Sequence, residues 1–230
     1  MISVCAYLWG DIYSLGDVKL WRDMVERHLT VPHEVVCITD DLGQFDGTGI
    51  RAVALKRGAA RGPRFCAEKL MTFRPDFGFL VGDRVLVMDL DCIVVGNMDP
   101  IVARDEPLVL WRNPSRRPWL GTSSPRALYN SSMVLITAGA RTDVWTRYMK
   151  GEAAGQSGDQ DWISHVVGPD CPYWDDDDGV YRLGRPTIQG SGPRDTLPDN
   201  ARVVYFPGDE GKPWLEHIRI ECPWIDEHRR

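Results

Sequence analysis

The chain has no Cys-x-x-Cys pair, no internal repeat, no heptad run and no Gly-x-Gly phosphate loop between Trp9 and Gly16. No apolar stretch approaches the roughly 18 residues of a membrane span. The six cysteines (Cys5, Cys37, Cys66, Cys92, Cys171, Cys222) are scattered, which suits small buried hydrophobes in a reducing compartment rather than a disulfide framework or a zinc site. The start of the chain lacks the basic flank of a signal peptide. A net charge of −6 gives no global basic field for nucleic acid or an anionic membrane. These absences lead to the expectation of a soluble, cytoplasmic protein with no membrane span. What remains is ordinary: 230 residues, 43% hydrophobic and 26% charged, enough for one large α/β domain.

The most informative stretch is Asp83–Pro100, D-R-V-L-V-M-D-L-D-C-I-V-V-G-N-M-D-P. Arg84–Met88 reads as a buried strand of a parallel sheet, closed at once by Asp89 and Asp91. Acids at a strand's carboxyl end stand in the crevice where ligands of open α/β sheets bind. In extended backbone, positions i and i+2 share a face, so Asp89 and Asp91 converge while Leu90 turns back to the core. Paired carboxylates without a Cys–His cluster point to Mn2+ or Mg2+, completed by ligand phosphates. A solvated strand end is the alternative, and the pattern alone leaves both open.

Around this stretch, Ile2–Leu8 is a first strand, breaking at Trp9-Gly10-Asp11. Val18, Leu20, Trp21, Met24, Val25 and Leu29 recur at helical spacing, and His33–Thr39 is a second strand ending in Asp40. This is half of a nucleotide-binding sheet, in which Trp9 and Tyr13 stack on a base and Asp40 accepts from it or from the ribose; aromatics packed on the helix are the competing reading. Ile50–Leu55 is a short strand. Arg64–Phe73 reads as a helix with Lys69 at its centre, stopped by Arg74-Pro-Asp. Leu108–Trp111 and Asn130–Thr137 are further strands, and Val144, Trp145 and Met149 mark a helix. Ser157–Asp161 opens another, where Asp159 or Asp161 serves as a cap or as a functional acid. Asp175–Asp178 reads as a solvated turn, with a second cation site as the alternative. Arg202–Phe206 is a last strand, and Cys222–His228 a terminal helix.

With these pieces in order, the chain resembles the GT-A nucleotide-sugar glycosyltransferases, most closely glycosyltransferase family eight, the glycogenin and bacterial galactosyltransferase type. Asp11-x-Tyr13-x-x-Gly16 is similar to that family's nucleobase turn, Lys69-Leu70 to its donor-binding lysine, and the Asp89-Leu90-Asp91 stretch to its metal motif. Tyr129-Asn130-Ser131 resembles the donor-sugar turn and Gly158-Asp159-Gln160 the loop beside the reacting carbon. Phe206-x-Gly208 with Lys212-Pro-Trp214 resembles the closing diphosphate loop. The chain departs from the family in two places. Asn-Ser-Gly is Asn130-Ser131-Ser132 here, and the closing loop has Tyr205 where the family carries a metal-binding histidine, with one extra residue before Lys212. Pro207 fills the alternative histidine position of some bacterial relatives, leaving Asp209, His217 or water as third ligand.

The resemblance implies a single-domain GT-A (Rossmann-like) α/β fold, with a mixed, mostly parallel central sheet flanked by helices. Residues about 1–100 would bind nucleotide and about 101–230 the donor sugar and acceptor. It implies a metal-dependent transferase moving a hexose from a UDP-sugar, with retention, to a hydroxyl acceptor such as a saccharide. Asp89 and Asp91 would hold the ion, Lys212 and Lys69 would neutralise the leaving diphosphate, and Asp159, Gln160 and Asp161 would orient the sugar. Two alternatives stay open. One is a nucleic-acid base acceptor, held by Lys56, Arg57, Arg61, Arg64, Arg112, Arg116, Arg117 and Arg126. The other is a nucleotidyltransferase-type or nucleotide-sugar-binding protein.

Overall fold

The computed structural model describes residues 1–55, 66–114, 127–184, 188, 193–206, 208 and 211–230. Its centre is β1 (Ile2–Leu8), in which every residue is buried. Ile2, Val4, Ala6 and Leu8 enter the hydrophobic cluster on one face of the sheet, and Cys5 and Tyr7 the cluster on the other. A strand covered on both faces reads as an unbroken apolar run, which is why its limits were legible. Helix α1 (Leu15–His28) follows and begins at a capping box: Ser14 Oγ accepts from the Asp17 amide, and Asp17 returns the bond to the Ser14 amide. Three residues of the observed helix thus precede Val18, where the apolar rhythm and the predicted helix start. Strand β2 (His33–Thr39) pairs parallel with β1, and β3 (Arg51–Ala54) parallel with β2.

The segment expected to be α-helical up to Phe73 is a 3-10 helix over Ala67–Phe73. Ala67, Leu70 and Phe73, three apart, are all buried, matching the three-residue turn of that conformation. Thr72 bonds the Tyr7 hydroxyl at 2.9 Å and ties the turn to β1. Helix α2 (Phe77–Val81) leads into β4 (Arg84–Met88), parallel to β1. Strand β5 (Cys92–Val94) and the short helix α3 (Asp99–Val102) come next. Strands β6 (Leu108–Arg112) and β7 (Tyr129–Thr137) are antiparallel to each other, and β7 is antiparallel to β4. Helices α4 (Asp143–Met149) and α5 (Asp159–Val167) precede β8 (Tyr173–Trp174), β9 (Val180–Arg182) and β10 (Val203–Tyr205). Helices α6 (Glu216–Glu221) and α7 (Trp224–His228) close the chain.

The strands form a seven-stranded sheet in the order β3-β2-β1-β4-β7-β6-β8, and a three-stranded sheet in the order β5-β10-β9. The expected mixed, mostly parallel sheet with flanking helices is therefore present. Between β4 and β5 the chain leaves the large sheet and joins the small one, and the crossing residues are Asp89, Leu90 and Asp91. No helix among the described residues is long and apolar enough to cross a membrane.

Candidate functional site

At this crossing the acid pair belongs to neither ladder but is held by both. The Asp89 amide donates to the Ser132 carbonyl at 2.9 Å, and the Phe206 amide, just beyond β10, donates to the Asp91 carbonyl at 2.9 Å. Leu90 between them is buried, as the alternation of extended chain requires, so only its backbone faces the site. Each carboxylate meets one ammonium. Lys69 Nζ lies 2.6 Å from Asp89 Oδ1 and 2.7 Å from Oδ2. Lys212 Nζ lies 2.6 Å from Asp91 Oδ2 and 3.2 Å from the Tyr13 hydroxyl. Lys212 is itself buried and stands 5.6 Å above the centre of the Tyr13 ring. Trp214 packs edge-on against that ring at 5.7 Å.

A third acid faces the pair from α5. Tyr129 on β7 donates its amide to Ser164 Oγ at 3.1 Å, and Trp162 Nε1 donates to the Val144 carbonyl, which locks α5 beside β7 and α4. The first residue of α5, Asp159, is 6% exposed as a result. Burial raises its pKa, while the Lys69 charge and neighbouring Ser131 work the other way. Even so, Asp159 Oδ2 and Ser131 Oγ are buried without a hydrogen-bond partner among the described residues. Burial also raises the Asp91 carboxyl, reinforced by Asp89 and opposed by Lys212. For Lys69, burial works against the charged form, but Asp89 and Asp159 overcome it and hold the ammonium above its ordinary value. Burial pushes the Tyr13 hydroxyl up, with Asp91 and Asp89 adding to it.

Other expected residues are placed nearby or turned elsewhere. Asn130 Oδ1 takes the Ser132 amide at 2.8 Å and so shapes the turn beside Asp89. Gln160 follows Asp159 in the first turn of α5, while Asp161 accepts from Ser157 and closes the loop ahead of the helix. Trp9 packs edge-on against Tyr7 at 6.0 Å, and Asp40 stands exposed at the carboxyl end of β2. Asp11 is exposed on the turn before α1. Gly208 has φ +72, a left-handed conformation natural to glycine. Asp175–Asp178 forms a turn, with Asp178 Oδ2 accepting the Asp175 amide at 3.1 Å. Arg112 lies over Tyr173 and donates to its hydroxyl at 2.7 Å. The other basic positions, Lys56, Arg57, Arg61, Arg64, Arg116, Arg117 and Arg126, fall outside the described residues, as do Pro207 and Asp209.

Sequence reasoning did not foresee that both lysines would be ion-paired with the acid motif, nor the floor beneath it. Tyr205 is buried, its ring stacked on Trp111 at 4.7 Å, and its hydroxyl has no partner among the described residues. The only signal was the histidine position occupied by tyrosine. A magnesium-type ion needs carboxylates free to join substrate phosphates. Here both are engaged by lysines, and no group of three His, Cys, Asp or Glu side chains suited to a metal occurs among the described residues. His217, a candidate third ligand, is exposed on α6. With Asp89 held by Lys69 and Asp91 by Lys212, neither carboxylate stands open to a divalent ion.

No protein-family model and no curated protein sequence matches the chain. Solved structures do. The galactosyltransferase LgtC, in complex with donor and acceptor sugar analogs, superposes over 98% of this chain and 94% of its own, with a TM-score of 0.65 and 14% identity. The glycosyltransferase GlyE of Streptococcus pneumoniae TIGR4 superposes over 93% of this chain, with a TM-score of 0.61 and 16% identity. The chain spans 57% of the length of GlyE. The fold is the GT-A fold. Within it, the acid motif leaving β4, the start of β7 and the start of α5 meet at the carboxyl end of the parallel strands, where α/β sheets take their ligands.

Proposed function

We propose that the chain transfers a hexose from a UDP-sugar to a hydroxyl of a saccharide acceptor, with retention. One observation carries the reading: three carboxylates (Asp89, Asp91, Asp159) and two lysines (Lys69, Lys212) converge at the β4 crossing of a GT-A fold. Structural and binding roles give no shared reason for such a cluster, whereas cleavage of a glycosyl diphosphate needs positive charge at the leaving group and negative charge at the sugar. The bond between the anomeric carbon and the phosphate oxygen breaks with its electron pair going to that oxygen. The acceptor oxygen attacks from the same face, and its proton passes to the departing phosphate. No protein nucleophile or external base is required.

In this reading Lys212 and Lys69 stabilise the diphosphate, a type of contact worth about 2.7–4 kcal/mol in the transition state. Asp159 and Gln160, with Asn130 and Ser131, face the sugar, and the unpartnered Asp159 Oδ2 is an acceptor for a sugar hydroxyl. Asp161, bonded to Ser157, shapes the loop that presents Asp159. Tyr13, Trp9, Asp11 and Asp40 bound the base and ribose end, and Gly208, at φ +72, lies four residues before Lys212.

The reading is tested by a screen of sugar nucleotides that follows release of free nucleotide. A UDP-hexose is expected to be turned over, and Tyr13→Ala to raise KM more than it lowers kcat, as for a group that binds ground and transition states alike. Release from no sugar nucleotide would refute the reading.

A further inference from the structure

The two lysines raise a question that the carboxylate pair alone does not. If Asp89 and Asp91 were an ion's ligands, the protein would be expected to keep them open. Instead Lys212, 8% exposed, is fixed on Asp91 at 2.6 Å and on the Tyr13 hydroxyl at 3.2 Å, and Lys69 is fixed on Asp89 at 2.6 Å. Each carboxylate charge is matched by one ammonium. A divalent ion would have to strip two lysines from their acids and then sit beside both ammonium groups. Tyr205, at the position where the resembled family carries its metal-binding histidine, has its ring stacked on Trp111 at 4.7 Å and 27°.

We infer that Lys212 supplies the positive charge at the leaving diphosphate in place of a divalent ion, with Lys69 as its counterpart on Asp89, so that donor cleavage is metal-independent. The inference rests on the glycosyl-transfer reading above. An ammonium carries three donors. Lys212 keeps Asp91 with one, meets Tyr13 with another and has a third for a phosphate oxygen, bridging acid and phosphate as an ion would. Lysine binds phosphate as a compact point charge and needs no further protein ligand. The electron balance of the transfer is unchanged, since the ammonium neutralises charge on the departing oxygen and takes no electrons.

Two measurements test this on the full chain, and the first does not depend on turnover. Free Mn2+ is followed by its electron paramagnetic resonance signal during titration into protein, with and without UDP. The wild type is expected to sequester no manganese in either case. Lys212→Ala, which bares Asp91, is expected to bind the ion roughly tenfold tighter or more, whereas Lys212→Arg, which keeps the charge, gains none. Thermal melts of each variant confirm that it is folded. Manganese sequestered by the wild type in the presence of UDP, and lost in Lys212→Ala, would overturn the inference. So would a folded Lys212→Ala that still binds none, because something other than the lysine would then keep the ion out. The second measurement is nucleotide release from the best donor in chelator and in added manganese, expected to agree within about twofold. Turnover abolished by chelator and restored by manganese would overturn the inference and leave glycosyl transfer standing. Absence of turnover under every condition would count against glycosyl transfer, and the manganese titration would still decide the role of Lys212.

Discussion

The Lys69–Asp89 pair can be weighed by a double-substitution cycle. Both side chains are largely buried, 13% and 19% exposed, and the ammonium reaches both carboxylate oxygens. Replacing Lys69 by methionine keeps the packing stem but leaves Asp89, Asp91 and Asp159 with Lys212 as the remaining ammonium among these groups. Breaking a buried pair by removing one partner costs about 3–5 kcal/mol, and the residual exposure argues for the lower end, about 3 kcal/mol. For a chain of this size each kcal/mol moves Tm by about 2–4 °C, so Lys69→Met is expected to melt about 6–12 °C below the wild type. Asp89→Asn leaves Lys69 with Asp159 as a counter-charge and is expected to cost less. The double variant removes the stranded charge and is expected to cost less than the sum, with a coupling of about 0.5–3 kcal/mol.

The pH dependence follows from the sign of the lysine's shift. Its folded pKa lies above the ordinary lysine value, so the pair's contribution is complete below about pH 10 and is lost as pH climbs through the raised value. Melts followed by circular dichroism across the neutral range are therefore expected to show a constant gap between Lys69→Met and wild type. A Lys69→Met melt within about 0.5 kcal/mol of the wild type would mean that water already satisfies Asp89, and the charge-matching argument would fail with it.

Two further expectations concern the frame around the site. Gly179 has φ +81, and a Cβ there would stand 2.2 Å from the Asn200 carbonyl oxygen. Gly179→Ala therefore combines about 1–2 kcal/mol of left-handed strain with about 1–3 of overpacking, whereas Gly168→Ala, at φ +78 in open space, carries only the first; equal losses in chemical denaturation would refute the steric account. His28 and His228 face each other at 6.2 Å beside Arg27, Glu227 and Arg230, and both are held below the ordinary histidine value, mainly by burial. A lowered folded pKa means stability present above about pH 6.5 and lost as pH falls through the lowered values. Amides of α7 should thus lose exchange protection as pH falls below about 6.5, and His28→Gln should blunt that loss.

What could be read from the sequence follows from where each element's energy comes from. β1, β2 and β4 were legible to the residue because strands covered on both faces are spelled as continuous apolar runs. β8, with two residues, and β9, with three, are held by neighbours far along the chain, Trp174 by Trp111 and Val180 by Val203. Nothing local announces them. The 3-10 geometry of Ala67–Phe73 was hidden because Leu70 and Phe73 satisfy a helical period of either kind. The acid motif, Lys69, Asp159 and Lys212 were all named from motif order, but their ion pairing depends on distances across 20 and 121 residues that no spacing encodes.

The same topology explains how such a separation is bridged. Asp89 takes its backbone bond from β7 of the large sheet, and Asp91 takes its bond from Phe206 at the end of β10 in the small one. Lys212 follows six residues beyond Phe206, so its reach to Asp91 is measured from β10 rather than from the large sheet. The register of β10 is fixed on both sides, Tyr205 opposite Cys92 on β5 and opposite Arg182 on β9. A one-residue slip would turn Tyr205 out of its stack on Trp111 and withdraw the Phe206 bond from Asp91 together. The small sheet is therefore the device that sets Lys212 against Asp91, while the large sheet sets Lys69 and Asp159 around Asp89. The site exists only where the two are joined, and the three residues that join them are the acids and Leu90, whose side chain anchors the crossing in the core.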